Sequence, residues 1–507
     1  MSRRALPLLI ACALAACTAE AGVRSQAVEP ISPTSGSDTT VGHSTTTDPA
    51  SETTAPATET TETPPDPSVD PDGVGDVLFP RLGNPGIDVR HYDVSVRYDP
   101  ATDLLAGVVG ADITLTADRD EITLDSVGLD IAHVLVDGQV ATFQADDPEL
   151  RIDVPGGGTR GQELRVEVEY SVEPTTQPSV VGLPAGWFNT PGGSYVLNEP
   201  DAASSWLPCN DHPSDKATFT FTITVPEGLT GVANGALAEH RTVGTDEVWV
   251  WQETRPMATY LVLLLTGDYE IIEGTGPHGL PLLSVVLRDD LATMQPYVDI
   301  TDDQIAFFEQ YFGPYPLDRY GIAMTDSFGG LAMEYQERSM FSREDFSSGE
   351  LGYIEHLLLS HELAHQWFGD AVSPARWQDI WLNESFATYG QWLWMEEAGI
   401  DTVQNQAELV FEYRTPGATA LPAAEDMFGV TSYDGGAIVL HALRLTIGDD
   451  AFFQLLQRWV ADNNGTSRTT QDFTRLAEEV SGRQLEEFFD EWLFAEQPPN
   501  RFPRPTG

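Results

Sequence analysis

The stretch "HLLLSHELAHQWFGD", His356 to Asp370, places two histidines four residues apart with a glutamate directly after the first. An α-helix turns once in about 3.6 residues, so His361 and His365 would project side by side from one face. Two imidazoles held in this way can bind one metal ion, while Glu362, one step round the helix, can reach a water beside that ion. The apolar flanks indicate a buried helix, in which uncompensated polar side chains would be costly.

The third ligand should come from a neighbouring element, because a catalytic zinc uses three protein ligands and an open position. The segment "WLNESFATY" reads as a second helix, and its Glu384 follows His365 after eighteen residues. An antiparallel helix packed beside the first could bring this carboxylate to the metal. We therefore predict one Zn²⁺ per chain, held by His361, His365 and Glu384. The alternative is that both histidines are ordinary core residues.

Length and charge limit the possible functions. The chain has 507 residues, which is enough for two or three domains. It carries 79 Asp and Glu against 26 Lys and Arg, a formal net charge of −53. Because phosphates would be repelled, this balance argues against nucleic acid as a partner.

The first residues predict export. "MSRRALPLLIACALAAC" has a basic start, a short apolar run and then small residues, which is typical of a secretory signal. Its end, Leu14 to Cys17, resembles the bacterial lipobox, in which the cysteine becomes the lipidated first residue. We expect a signal peptide at 1–16, a lipid anchor at Cys17 as the only membrane contact, and a bacterial cell-envelope lipoprotein or extracellular protein. Ordinary signal cleavage beside an incidental cysteine is the alternative.

Composition and periodicity divide the rest of the chain. Residues 17–78 are rich in Ser, Thr, Pro and acidic residues, which predicts a disordered linker. Residues 79–275 alternate apolar and polar positions, as in "ATFTFTITVPEG", which predicts an antiparallel β-sandwich domain. Residues 276–500 read mostly as helices, with "YGIAMTDSF" as a strand, and 501–507 form a tail. The lone cysteine of the folded body, Cys209, predicts no intramolecular disulfide.

These motifs together resemble a known family. The ligand spacing is that of the gluzincins, and "HELAHQWFGD" and "WLNESFATY" are similar to the M1 aminopeptidases. "GGLAMEY", Gly329 to Tyr335, resembles their Gly-Ala-Met-Glu-Asn exopeptidase motif, and "SYDGGAIVLHALR" resembles their Tyr-x-Lys-Gly segment. The resemblance runs from about Gly83 to Pro498. It implies a thermolysin-like, α-rich catalytic domain with a small sheet after the β-sandwich.

The resemblance also implies roles for particular residues. Glu362 is the general base that takes a proton from the attacking water and later passes it to the leaving amine. Tyr433 donates a hydrogen bond to the developing oxyanion. Glu334, and Glu199 nine residues before Pro208, hold the free α-ammonium of the substrate. The implied activity is that of a zinc metallo-aminopeptidase acting on peptides with a free N-terminus.

The sequence departs from the family pattern at several positions. Tyr335 stands where the family has Asn, Ser385 where it has Gly after the third ligand, and Gly435 where it has Lys. These changes bear on substrate preference and rate. Many relatives continue into a long helical domain, so the short form seen here predicts a site that is more open or is covered by a partner. A zinc endopeptidase, and a catalytically quiet surface binding protein of the same fold, are the alternatives.

Overall fold

The computed structural model describes residues 73–182, 184–497 and 499–503. The predicted signal peptide, its Cys17, the linker up to residue 72 and the last four residues of the tail lie outside this range. Within it, no helix is both long enough and apolar enough to cross a bilayer. Cys209 is buried and free, and it is the single cysteine of the described residues.

The first domain is built from strands, of which the longer ones, such as Glu163–Val172 and Lys216–Pro226, alternate buried positions with more exposed ones. In the described residues they are β1 (Ile87–Asp99), β2 (Leu104–Leu115), β3 (Arg119–Asp125), β4 (Asp130–Val136), β5 (Gln139–Val140), β6 (Phe143–Asp146), β7 (Glu149–Gly158), β8 (Glu163–Val172), β9 (Thr176–Pro178), β10 (Pro184–Thr190), β11 (Gly193–Leu197), β12 (Lys216–Pro226), β13 (Thr230–Ala233), β14 (Ala236–Val243), β15 (Asp246–Ala258) and β16 (Leu264–Gly267).

These strands form three sheets around one hydrophobic core. An eight-stranded sheet has the order β14-β15-β12-β1-β2-β8-β4-β5, a five-stranded sheet β13-β16-β11-β10-β9, and a three-stranded sheet β3-β7-β6. The core contains residues of all three sheets. Tyr92 of β1 lies opposite Phe219 of β12, and their rings stack at 5.0 Å. The β1–β12 pairing is parallel, and the other pairings within these three described sheets are antiparallel.

The second domain combines helices with a small mixed sheet. Its described elements are β17 (Tyr269–Thr275), β18 (Pro281–Leu287), α1 (Leu291–Asp299), α2 (Thr301–Phe312), β19 (Ile322–Thr325), β20 (Ala332–Met333), β21 (Ser339–Ser342), α3 (Tyr353–His365), β22 (Val372–Pro374), α4 (Trp381–Glu397), α5 (Val403–Tyr413), α6 (Gly436–Ile447), α7 (Asp449–Asn463), β23 (Thr466–Arg468), α8 (Thr470–Ser481) and α9 (Glu486–Phe489). The predicted fold class, a β-rich domain followed by an α-rich domain with a small sheet, is confirmed.

Sheet pairing corrects the predicted domain boundary. The five-stranded sheet of the second domain has the order β17-β18-β19-β21-β20, and β17 pairs with β18 as an antiparallel hairpin. β16, in contrast, pairs with β11 and β13 of the first domain. A boundary after residue 275 would divide that hairpin. The two domains meet between Gly267 and Tyr269.

Both ends of the folded body extend beyond their predicted limits. Asp76, placed in the linker by composition, is 3% exposed, and its carboxylate accepts a 2.7 Å hydrogen bond from the backbone N–H of Trp377. The same carboxylate lies 3.2 Å from the His212 ring. At the other end, Phe502 of the predicted tail packs on Phe411 with 4.4 Å between ring centroids. Composition missed both because each segment is fixed by one or two long-range contacts.

Candidate metal centre and active site

The helices α3 and α4 pack together and carry the three predicted ligands. α3 ends at His365, so the second histidine is its last residue. Gly369 permits the turn that follows, because its φ of +126° lies in a region that favours glycine. A Cβ at this position would stand 3.3 Å from Nδ1 of His365 and from the Asn383 amide. The chain therefore returns closely past the ligand before α4 begins.

The ligand atoms converge as the helical spacing predicts. Nε2 of His361 and Nε2 of His365 each lie 3.4 Å from Oε2 of Glu384. All three side chains are buried, and within the described residues this Oε2 has no hydrogen-bond partner. The two histidines lower the pKa of Glu384 to about 2, although burial by itself would raise it. The group is thus a negatively charged oxygen held between two imidazole nitrogens.

The surroundings of the triad fit a zinc ion. Nδ1 of His365 donates to the carbonyl oxygen of Phe368 at 3.0 Å, which orients the ring so that Nε2, the atom that faces Glu384, is the one that can bind a metal. The Asn383 amide, next to Glu384, donates to the Tyr260 hydroxyl at 3.1 Å. Two neutral histidines and one carboxylate are a known donor set for catalytic zinc. Zinc is accordingly the cofactor that these residues would hold.

The structure brings the two predicted amine-binding carboxylates to the same centre. Glu334 follows the edge strand β20, and Glu199 follows β11 of the first domain. Carboxylate oxygens of Glu199, Glu334 and Glu384 lie within 4.8 Å of one another, and Glu334 groups in the same way with Glu362 and His365. In the described part of the chain, Oε1 of Glu199 and Oε1 of Glu334 are buried without a hydrogen-bond partner.

The electrostatics of the centre favour a cationic ligand. Burial, reinforced by the neighbouring carboxylates, raises the pKa of Glu199, and it raises that of Glu362 well above its usual range. Burial also raises the pKa of Glu334, with Glu384 adding to the effect. Clustered carboxylates of this kind are costly unless positive charge arrives to compensate them. A metal ion and a substrate ammonium are the two cations that the arrangement can take.

Tyr433 lies beside the metal triad on the His361 side. Its ring stacks on the His361 imidazole with centroids 5.8 Å apart and planes 14° from parallel. Its hydroxyl has no partner in the residues described, and burial raises its pKa well above the usual value, so it remains a proton donor. It belongs to a π-helical turn, Thr431–Gly435, directly before α6.

Two of the departures from the family pattern have structural partners. The hydroxyl of Ser385 donates to the carbonyl oxygen of Ser432 at 2.6 Å, beside Tyr433. The hydroxyl of Tyr335 donates to the carbonyl oxygen of Val196 in β11, and so connects the Glu334 segment to the strand that leads to Glu199. Both substitutions thus add contacts that hold site residues in place.

Sequence reasoning missed Gln366, which follows ligand His365. Its Nε2 donates to the carbonyl oxygen of Glu334 at 2.9 Å, and its Oε1 accepts from the backbone N–H of Glu337 at 2.8 Å. Gln366 therefore joins the end of α3 to the segment that carries Glu334. In the sequence, the signal that could have indicated this role is an amide placed between the second histidine and the apolar Trp367-Phe368 pair, where a buried amide would need partners.

A buried metal triad of two histidines and a glutamate, with further carboxylates beside it, defines a zinc metallopeptidase type of centre. The chain matches the Peptidase family M1 domain over residues 297–492 and the Peptidase M1 N-terminal domain over residues 89–261. This protein belongs to peptidase family M1.

Solved structures are similar to this protein in both sequence and fold. The M1 zinc metallopeptidase from Deinococcus radiodurans is 30% identical with a TM-score of 0.78, and the match covers 85% of this chain and 99% of that one. A mutant of that enzyme was solved with a Tyr-Ser-Ala substrate and is 29% identical.

Archaeal relatives are longer than this chain. The leucyl aminopeptidase of Saccharolobus solfataricus is 28% identical over 439 residues, which is 80% of this chain and 53% of the relative. Probable aminopeptidase 2 of Sulfurisphaera tokodaii is 27% identical over 436 residues, with the same two shares. The chain therefore spans about half the length of these curated relatives.

Proposed function

We propose that this protein is a zinc aminopeptidase that removes residues from the free N-terminus of peptides. The observation that carries the proposal is the pair Glu199 and Glu334, whose unpartnered carboxylate oxygens lie beside the metal triad. A peptide's α-ammonium would supply the positive charge that this pair lacks. Two further findings support it: relatives are named aminopeptidases, and the Deinococcus radiodurans enzyme was solved with a tripeptide substrate.

The depth of the amine-binding end limits how far a peptide can enter. A small cavity of about 30 Å³ is lined by Glu199, Met333, Leu197 and Phe428, among others. Its apolar walls suit one side chain, while the carboxylates hold the ammonium of the same residue. The carbonyl of that first residue then lies next to the metal triad, so one residue is released in each turnover.

Each remaining residue has a separate task in the reaction. Glu362, on the same helix as the two histidines, takes the proton of the attacking water and delivers it to the leaving amine. Tyr433 donates its unpartnered hydroxyl to the oxyanion as charge develops there. His361, His365 and Glu384 would hold a zinc ion, which would supply a Lewis acid to polarise the carbonyl and acidify water.

A substrate panel tests the proposal. We expect purified protein to hydrolyse several aminoacyl-anilides, to lose this activity with a chelator and to regain it with Zn²⁺. The matched variant Glu362→Gln should keep the metal but lose roughly 10²–10⁴-fold in kcat. Zinc bound at one per chain without hydrolysis of any free N-terminus would refute an aminopeptidase and would favour the surface binding protein.

Blocked peptides separate the aminopeptidase from an endopeptidase. An endopeptidase would cleave N-acetylated peptides internally, because it needs no ammonium. We expect acetylated peptides to resist cleavage while the same sequences with free N-termini lose their first residue. Internal cleavage of both forms at similar rates would contradict the proposal, even if the metal were essential.

We further propose that the chain is exported and anchored by a lipid at Cys17. The support is the sequence "MSRRALPLLIACALAAC" with its Leu14-Ala-Ala-Cys17 end. Expression of the full chain in a bacterial host with a labelled fatty acid should label the protein. The variant Cys17→Ser should remove the label and release the protein from the membrane fraction; equal labelling of both would overturn the proposed anchor.

A further inference from the structure

A cavity of about 310 Å³ opens beside Tyr433, and neither Glu199 nor Glu334 lines it. It is lined by Leu357 of α3, by side chains of α4, α5 and α6, and by the turn that carries Tyr433. It shares no lining residue with the small cavity at Glu199. Tyr433 stacks on His361, whereas Glu199 groups with Glu334 and Glu384, so the larger cavity adjoins the site through Tyr433 and the smaller one through Glu199.

The cavity has aromatic walls and one carboxylate without a partner. The aromatic side chains on its wall are Tyr353, Trp392, Tyr413, Tyr433 and Trp492. Asp434 also lines it, and no hydrogen bond or ion pair of its carboxylate occurs among the residues that the structure describes. Burial raises the pKa of Asp434 to about 6, so the group is mostly ionised at neutral pH.

The other charged side chains on the wall are already engaged. Oδ1 of Asp401 accepts from the backbone N–H of Thr402 at 2.8 Å and from the Asn405 amide at 3.1 Å. The guanidinium of Arg414 donates to the carbonyl oxygens of Phe411 and Pro499 and lies 3.8 Å above the Phe411 ring. Neither group neutralises Asp434.

The position of Asp434 in the turn before α6 does not account for its charge. A carboxylate there could cap the helix by accepting backbone N–H groups, which would make it structural. Asp434 accepts none within the described residues, and Gly435 is the N-cap of α6 without a side-chain cap. The carboxylate is thus available to a ligand that enters the cavity.

We propose that Asp434 makes this cavity a receptor for a cationic side chain, namely a lysine or arginine directly after the scissile bond. This inference rests on the proposed aminopeptidase function. When the ammonium of a peptide lies at Glu199 and Glu334, the first residue of the peptide occupies the space between these carboxylates and the metal. The side chain of the second residue then lies beyond the metal, towards Tyr433. Aromatic rings attract a cation and also cover its alkyl stem. The volume of about 310 Å³ admits a long side chain.

Two tripeptides that differ by one acetyl group test the inference. Both carry the best first residue from the anilide panel and end in alanine; the second residue is lysine in one and Nε-acetyl-lysine in the other. Acetylation keeps the side chain long but removes its charge. We expect wild-type kcat/KM to be about tenfold higher for lysine, the gain typical of a charged hydrogen bond. In Asp434→Asn the ratio should fall to about one.

A control variant must distinguish attraction of the lysine by Asp434 from attraction by the whole protein, whose net charge is −53. Glu425→Gln removes one exposed charge from the same loop region outside the cavity lining, and should keep the wild-type ratio. In about 1 M salt, long-range attraction is screened, so the lysine preference should persist only if the contact is local. This salt measurement uses the wild-type protein, so it tests the inference even if Asp434→Asn fails to fold.

The results that would contradict the cationic receptor differ from the result that would contradict the aminopeptidase function. If neither tripeptide loses its first residue, the proposed aminopeptidase function fails with this inference. If both are cleaved at equal rates by wild type, or if Glu425→Gln lowers the ratio as much as Asp434→Asn, only the cationic receptor is overturned. A lysine preference that disappears in high salt also overturns it, because the attraction would then belong to the whole surface.

Discussion

The hydroxyl of Ser385 donates a 2.6 Å hydrogen bond to the carbonyl oxygen of Ser432, and so connects the residue after ligand Glu384 with the residue before Tyr433. Gly436 makes room for this bond. A Cβ built there would stand 1.6 Å from the Ser385 hydroxyl oxygen and 2.5 Å from its Cβ. Ser385 and Gly436 therefore depend on each other.

A double-mutant cycle on this pair gives the first prediction. Gly436→Ala alone should destabilise the protein by about 1–3 kcal/mol, because the added methyl overlaps Ser385. Adding Ser385→Gly removes the obstacle, and the alanine then also gains helix propensity. We expect the second mutation to restore much of the lost stability, with a coupling free energy of at least about 1 kcal/mol in urea denaturation. Additive effects of the two changes would contradict the dependence.

The second prediction concerns the Tyr433 hydroxyl. Tyr433→Phe keeps the ring that stacks on His361 but removes the unpartnered donor. We expect kcat on an aminoacyl-anilide to fall by roughly 10²–10³-fold with little change in KM, because the hydroxyl acts on charge that appears in the transition state. Zinc content should equal that of wild type. A rise in KM with unchanged kcat would instead assign the hydroxyl to ground-state binding.

The third prediction concerns Glu334 and Glu199, the carboxylates proposed to bind the substrate ammonium. Glu334→Gln keeps the shape of the side chain but removes its charge. We expect kcat/KM for free N-terminal substrates to fall by about 10–100-fold, the cost of losing a charged hydrogen bond. Glu199→Gln should act in the same direction.

A neutral substrate analogue supplies the control for both glutamine variants. A competitive inhibitor that binds the metal but has no amino group should bind wild type and Glu334→Gln with similar affinity. Equal weakening of an amine-bearing and an amine-free inhibitor would show that Glu334 shapes the metal centre and does not recognise the ammonium.

The metal helices could be predicted from sequence because their information is local. The spacing of His361 and His365 fixes their common face, and alternation along β12 fixes which residues enter the core. The contact between Ser385 and Ser432 spans 47 residues, and that between Tyr335 and Val196 spans 139. No period in the sequence encodes such pairs. The resemblance to a family located Glu199, whose own segment shows no pattern that would place it beside Glu334.

The boundary between the two domains could not be predicted from sequence, for a different reason. β16 and β17 are both short strands, and one residue separates them. Their composition does not reveal which sheet each joins, since that depends on distant partners, β11 and β13 for one and β18 for the other. Periodicity therefore located the strands but could not place the boundary between them.

Lys216, the only lysine of the chain, connects the two domains and gives the last prediction. It begins β12, and its ammonium donates to the carbonyl oxygen of Asp370 at 2.5 Å, in the turn after α3. Burial lowers its pKa to about 7, although Asp370 and Glu253 favour the charged form. In the unfolded chain the pKa of lysine is about 10.4.

The sign of the pH effect follows from these two pKa values. Below about pH 7 the lysine is charged in both states, and the folded protein bears the full cost of the buried charge. Between about pH 7 and 10 the unfolded chain binds more protons than the folded one, so stability rises with pH. Lys216→Met abolishes this titration. The free energy of unfolding of wild type relative to Lys216→Met should therefore increase with pH, by at most about 1.4 kcal/mol per unit.

Urea denaturation of both proteins between about pH 7 and 9.5 measures this difference. Lys216→Arg is the matched control, because arginine stays charged throughout the range and its stability relative to Lys216→Met should not change with pH. If wild type and Lys216→Met gave parallel stability curves, the amine would titrate equally in the folded and unfolded states. The contact with Asp370 would then hold the domains together without burying a charge, and its loss would cost the same at every pH.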